Sequence, residues 1–340
     1  MSAFRISALT TGCLLACFTL PLSAQQAYKV LDHWKVGGSG GWDYLTVDGE
    51  AHRLYITHNQ RVEVLDTKTG KTVGAVTGLK GTHGVALDSD GKLGYISDGG
   101  ANAVVVFDRK TLQTVASIPA GTNPDGILFE PVTKTVWAFN GRSSDVTVID
   151  TKTQKAVATI KLPGKPEFPQ ADGKGHVFDN IEDKNSIVEL DAANKTLVTT
   201  WQLTDCESPS GMAIDRMHHQ LFSVCDGKKM AVVDYESGKQ VATPEIGEGP
   251  DAAGFSAKKH LAFSSNGGDG TLSVIDSRTF KTVQSLATQK GARTMAYDAE
   301  ADQLYLATAE FGPRPEPTAQ NPRPRPAIVP DSFTIVVVGH

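Results

Sequence analysis

Asp43, Asp125, Glu167 and Asp251 each stand at the start of a short strand-like run, the aspartates of Pro124-Asp125 and Pro250-Asp251 directly after proline, with His58 and His83 nearby in the repeat pattern. Carboxylates with an imidazole form a ligand set suited to a divalent metal such as calcium, magnesium or zinc. A cation held by Asp43, Asp125, Glu167 and Asp251 could polarise a carbonyl or activate water, with His58 or His83 as general base. A second set closes such runs: Asp98, Asn140, Asn180 and Asn266, in line with Cys225 and Thr308. With Trp42, Arg293 and Arg314 they make up the candidate ligand-binding side chains. An aspartate after proline can instead bond the amides of its own turn, and repeated copies then reflect repeat structure alone. No HxH, HExxH, DxDxDG, P-loop, GxGxxG or CxxCH spacing occurs, and no Ser-His-Asp arrangement follows from spacing. The chemistry therefore depends on a fold that collects these residues.

That fold is legible in residues 83–118, HGVALDSDGKLGYISDGGANAVVVFDRKTLQTVASI, which read as four short strands separated by turn residues. The unit recurs. The aspartate closing its third strand returns at Asp66, Asp108, Asp150, Asp191, Asp234 and Asp276, with gaps of 42, 42, 41, 43 and 42 residues. A four-stranded repeat of about 40–45 residues is the mark of a β-propeller blade. A seventh copy begins at Arg293 and ends with FTIVVV at 333–338. The composition, 40% hydrophobic and 21% charged with 33 glycines, fits a globular chain rich in turns. Residues 25–340 are expected to form one all-β domain, a seven-bladed propeller of antiparallel four-stranded blades, because blades bury their faces only against neighbours.

The second strands and their sequels, RLYITH…VEVLD, LGYISD…VVVFD, TVWAFN…VTVID and LAFSSN…LSVID, resemble the YVTN repeat. Over about 310 residues the chain is similar to the YncE-like family of exported seven-bladed propellers. The resemblance implies the fold strongly and the function weakly, since members include proteins described as DNA-binding and similar propellers serve as lactonases, lyases or surface-layer proteins.

Aligning the repeats places Asp43, Gly84, Asp125, Glu167, Ser210, Asp251 and Arg293 at the start of the innermost strands, with Trp42 and His83 one place earlier. The second strands end at His58, Asp98, Asn140, Asn180, Cys225, Asn266 and Thr308. Antiparallel pairing brings both sets to one mouth of the central channel. At ~8 Å and an effective dielectric near 20, each like-charged pair there costs on the order of 2 kcal/mol. Raised carboxylate pKa values, the guanidinium of Arg293 or a bound cation would relieve it.

The ends of the chain carry their own signals. Residues 1–24 hold one basic residue, Arg5, then an apolar run and Leu-Ser-Ala, the pattern of a secretory leader cleaved after Ala24. A membrane anchor and a lipoprotein (LLAC at 14–17) are the competing readings. Export makes the protein periplasmic or secreted and leaves Cys206 and Cys225, which a hairpin would bring together as a disulfide or as two thiols. The strand YKVLDHWKV at 28–36 has no hairpin partner and is expected to supply the missing fourth strand of the seventh blade. Residues 310–331, with seven prolines and Arg314, Arg323 and Arg325, form a long insertion in that blade, read either as a lid over the mouth or as a surface arm. The net charge of −5 and the acidic mouth argue against nucleic acid as partner. A monomer without a membrane span in its mature part is expected, either binding a small molecule, protein or cell-envelope component, or acting as a metal-dependent hydrolase or lyase of lactonase type.

Overall fold

The computed structural model describes residue 1 and residues 26–318, 324 and 326–340; the segment 1–24 expected to be a leader, apart from residue 1, and Arg323 and Arg325 lie outside the described residues. Seven four-stranded antiparallel sheets follow one another around a ring. Their innermost strands are Trp42–Asp48, Thr82–Leu87, Pro124–Glu130, Pro166–Ala171, Met212–Asp215, Pro250–Ser256 and Thr294–Asp298, which open blades one to seven. The second strands are Arg53–His58, Leu93–Asp98, Thr135–Asn140, His176–Ile181, Gln220–Cys225, Leu261–Asn266 and Gln303–Thr308. Among the described residues no helix is long and apolar enough to cross a membrane.

The third residue of every second strand is a large aromatic with no exposed surface: Tyr55, Tyr95, Trp137, Phe178, Phe222, Phe263 and Tyr305. Each fills a seam between blades, and seven apolar clusters occupy the seven seams. Burying one such ring contributes roughly 1.5–3 kcal/mol, so the sum over the ring is what holds blades that could not stand alone.

The repeating aspartates end the third strands. Asp66 Oδ1 accepts the N–H groups of Lys68 (3.0 Å) and Thr69 (2.8 Å) and the Thr69 hydroxyl (2.9 Å). Asp108, Asp150, Asp191, Asp234 and Asp276 do the same for their own turns. The fifth residue of each turn takes positive φ, as glycine at Gly70 (66°) and Gly238 (69°) but as Leu112 (60°) and Phe280 (55°) elsewhere. The aspartate bonds hold a turn that L-residues otherwise resist.

The ring closes with strands from both ends of the chain. Lys29–Lys35 pairs antiparallel with Thr334–Gly339 as the outermost strand of blade seven. Tyr28 is buried beside Phe263, and its hydroxyl donates to Asp302 (2.8 Å), which also receives the Tyr297 hydroxyl (2.9 Å) and pairs with Lys259 (2.6 Å). In blade five Cys206 and Cys225 are joined as a disulfide with Cα atoms 5.2 Å apart.

Candidate functional site

The strand register decides which residues share the mouth. Trp42 pairs with His58, Thr82 with Asp98, Pro124 with Asn140 and Pro250 with Asn266. The residue after each inner partner is therefore the equivalent one: Asp43, His83, Asp125 and Asp251, with Glu167 following Pro166 in the same way. His83 thus takes the place in the ring that the sequence alignment gives to Gly84. The one-residue slip matters because neighbours on a strand point to opposite faces. Gly84 lies one step deeper, where its N–H donates to Ser97 Oγ (2.8 Å) and an added Cβ would meet Ile127 at 3.0 Å.

Side chains from the next-to-last position of the second strands mount this ring, Asn180 among them, since that strand ends at Ile181 and not at Asn180. Thr57 Oγ1 donates to the carbonyl of His83 (3.1 Å), Ser97 Oγ to that of Asp125, Asn180 Nδ2 to that of Ser210 (2.6 Å) and Ser265 Oγ to that of Arg293. Each bond runs from one blade to the ring residue of the next. The ring is thereby fixed in spacing by buried polar bonds, not by apolar packing alone.

Blades one to three bring Asp43, His83 and Asp125 together. His83 Nδ1 lies 2.7 Å from Asp43 Oδ2 and 3.5 Å from Asp125 Oδ1. Burial alone would lower the His83 pKa, but the hydrogen bond to Asp43 and the charges of Asp125 and Glu167 outweigh it and raise the pKa to about 9. For Asp125 burial dominates: it pushes the carboxyl up to about 8, helped by Asp43 and Glu167 and opposed by His83. Glu167 is also raised by burial, against the pull of Lys165, whose Nζ is 3.1 Å away and also pairs with Glu182. Tyr44 points its hydroxyl at Glu167 (3.3 Å). Across the ring Asp251 pairs with Arg293, whose Nη2 donates to the Trp42 carbonyl (3.2 Å). A cation or a hydrogen-bond donor entering the mouth on the His83 side would meet carboxylates with few partners of their own.

The other candidates stand elsewhere. His58 is 1% exposed, packs tilted at 37° against Phe333 with centroids 4.3 Å apart, and lies beneath Gly38 with Nδ1 3.8 Å from Glu63. It is a seam residue and does not touch the His83 group. Asp98 accepts the N–H groups of Lys80 (3.0 Å) and Gly81 (2.8 Å) and closes a turn. Asn140 and Asn266 each bond two side chains of their own third strand, Asp145 with Thr147 and Thr271 with Ser273. Cys225 is consumed by the disulfide. Trp42 packs on Phe333 (5.1 Å) and Phe311 (6.2 Å), so the foot of the proline-rich insertion rests on the rim, where Phe311 pairs with Ile328. Arg314 is exposed, and among the described residues no ion pair joins it to the ring.

Three participants escaped the sequence reading. Tyr44 and Lys165 flank the ring by one and two residues, and a corrected register would have exposed them. Asp179 follows the buried Phe178 in HVFDNI, at a second-strand position that other blades fill with a small or apolar residue such as Ala138 or Ile96, and that departure was the available signal. It has no exposed surface, and neither carboxylate oxygen makes a hydrogen bond; the Glu167 N–H lies near enough to lower its pKa without closing one. Burial drives its pKa well up, with Glu167 and Asp125 adding to the effect. A cleft of 710 Å³ opens on the opposite face, lined by Asp88, Lys92, Tyr95, Phe129 and Lys134. Its charged groups belong to hairpin turns, and size alone does not outweigh the convergent chemistry of the mouth.

No protein-family model matches the chain. No curated protein matches it either. Among solved structures it is similar to Kuenenia stuttgartiensis hydrazine synthase, with a TM-score of 0.70, 16% identity, and coverage of 78% of this chain and 92% of that one. At that identity the likeness concerns architecture: the chain is a seven-bladed β-propeller.

Proposed function

We propose that this is an exported binding propeller of the YVTN-repeat, YncE-like kind, which presents a ligand site at the acidic mouth of its channel and offers the surrounding rim to a protein or cell-envelope partner. One observation carries the reading. The repeat satisfies its turn aspartates, whereas at the mouth Asp125 is only 8% exposed and, among the described residues, its carboxylate has no hydrogen bond and one ion-pair neighbour, His83 at 3.5 Å. Leaving a buried carboxylate without partners costs stability, and a bound ligand would remove that cost. Arg293, with its side chain 38% exposed above Asp251, adds a donor for an anionic or carbonyl group of the same ligand.

A second reading, a metal-dependent hydrolase or lyase, draws on the same His83 group, with His83 in place of His58 as the basic residue. Turnover lost in Asp125→Asn would favour it. For the binding reading, thermal-shift screening of the mature protein against small cations, polyols, lactones and carboxylates should yield ligands whose shift shrinks in Arg293→Ala and Asp125→Asn. Ligands indifferent to both substitutions would place binding away from the mouth and end this reading.

A further inference from the structure

We propose that Asp43, His83 and Asp125 form a site for a divalent ion of the first transition row, of which Zn²⁺ is the probe, with its remaining coordination positions open to the channel. The inference rests on the mouth being the binding site and names what that site takes first.

Geometry is the first support. The three side chains come from the same ring position of three successive blades, and one ligand atom from each lies within 4.8 Å of the others. The two separations around His83 Nδ1 are 2.7 and 3.5 Å. Bonds of about 2.0–2.2 Å to zinc imply ligand atoms roughly 3.0–3.5 Å apart in octahedral or tetrahedral arrangement. The third separation, between the Asp43 and Asp125 oxygens, lies within 4.8 Å, so the two carboxylates would draw together by up to roughly 1 Å to admit the ion, while the bonds from Thr57 and Ser97 to the His83 and Asp125 carbonyls hold the backbone.

Unused lone pairs are the second. Asp125 is more than nine-tenths buried, faces into the group and accepts no hydrogen bond. Behind it lies Asp179. Asn180 points to the Ser210 carbonyl of blade five, so its strand neighbour points the other way, toward blade three and Asp125. Both Asp179 oxygens are buried and unbonded. The nearby cations are committed elsewhere, Lys165 to Glu167 and Glu182 and Arg293 to Asp251. A divalent ion would supply the missing positive charge.

Ligand chemistry sets the class. Calcium and magnesium prefer all-oxygen shells, whereas an imidazole nitrogen with two carboxylates suits zinc and its neighbours. Three protein ligands with open positions form the pattern of a site that keeps a place for water or a second ligand.

The test uses untagged mature protein stripped with chelator and titrated calorimetrically with ZnCl₂, with MnCl₂ and CaCl₂ in parallel and a melting curve for each. About one zinc per chain is expected, with a higher Tm because the ion ties three blades, and no comparable shift from calcium at the same concentration. Asp125→Asn and, separately, His83→Gln should weaken zinc by more than the roughly 10- to 100-fold typical when a residue behind the ligands is changed. Asp179→Asn should fall within that range, and Asp66→Asn, at an outer hairpin turn, should leave zinc affinity unchanged. Folded wild-type protein that takes up no zinc, or zinc binding that survives both His83→Gln and Asp125→Asn, would overturn the proposal. If zinc fails while Arg293→Ala still abolishes a small-molecule shift, only the metal falls and the mouth stands. If no ligand responds to any mouth substitution, both fall.

Discussion

Two rings of carboxylates run around this molecule, and they are opposite in condition. The turn ring, from Asp66 to Asp276, is exposed or half-buried, and each member accepts bonds from the amides and hydroxyls two and three residues ahead. Those bonds hold the pKa values of all six below the ordinary range. At the mouth Asp125 is buried and Glu167 half-buried, both with few donors, and their pKa values move up. The same residue types are structural where the chain supplies their partners and reactive where it withholds them. Strict periodicity marks the first kind; a position that varies among aspartate, glutamate, histidine, serine and arginine from blade to blade marks the second.

Both rings exist only while the circle is closed, so the largest effect comes from opening it. Deletion of residues 26–35 removes the strand paired to Thr334–Gly339 and the buried Tyr28. Loss of the cooperative melt is expected by calorimetry or circular dichroism, since blade seven would then expose an unpaired edge. A truncated protein melting as the full chain does would break the comparison at its root.

Asp125→Asn separates the rings by sign. In metal-free protein this change removes a buried carboxylate without removing a hydrogen bond, so chemical denaturation at neutral pH should show equal or greater stability, by about 1 kcal/mol. A loss above about 2 kcal/mol would mean the carboxylate is structurally satisfied after all.

The smallest effect is at the turn ring. Asp276 accepts the N–H groups of Arg278 and Thr279 (3.0 and 2.9 Å) and pairs with the Arg278 guanidinium. Burial works against ionisation, but these bonds bring its pKa down to about 2 from 3.8. A depressed folded pKa contributes stability that is present above the unfolded value and lost as pH falls from about 4 toward 2. Because its Arg278 partner is 59% exposed and solvent screens the pair, Asp276→Asn should cost only a few tenths of a kcal/mol at neutral pH. Its melting temperature should converge with that of the wild type near pH 2, and a constant gap across that range would show that ionisation is not the source.

The blade count, the closing strand and the general place of the mouth were legible in the chain. Their signals are local: alternation of apolar residues, a 42-residue period, and a lone strand with a gap to fill at the other end. The membership of the site was less legible. His58 looks like His83 in sequence, each a histidine at a strand boundary, yet one is sealed against Phe333 and the other faces two carboxylates. Asp98, Asn140 and Asn266 share a strand end with no shared task beyond closing their own turns and hairpins.

Composition and period by themselves determined seven blades, because side-chain alternation and turn chemistry act over a few residues and every blade repeats them. The tertiary structure alone decided which carboxylates lack partners. A bulge in the inner strands, such as the one between Thr82 and Val85, sets the register by one residue, and burial isolates Asp125 at the mouth beside His83 and Asp179 between the blades. Desolvation and long-range charge depend on what neighbouring blades place nearby, at separations of about 40 residues or more, and no local pattern encodes them.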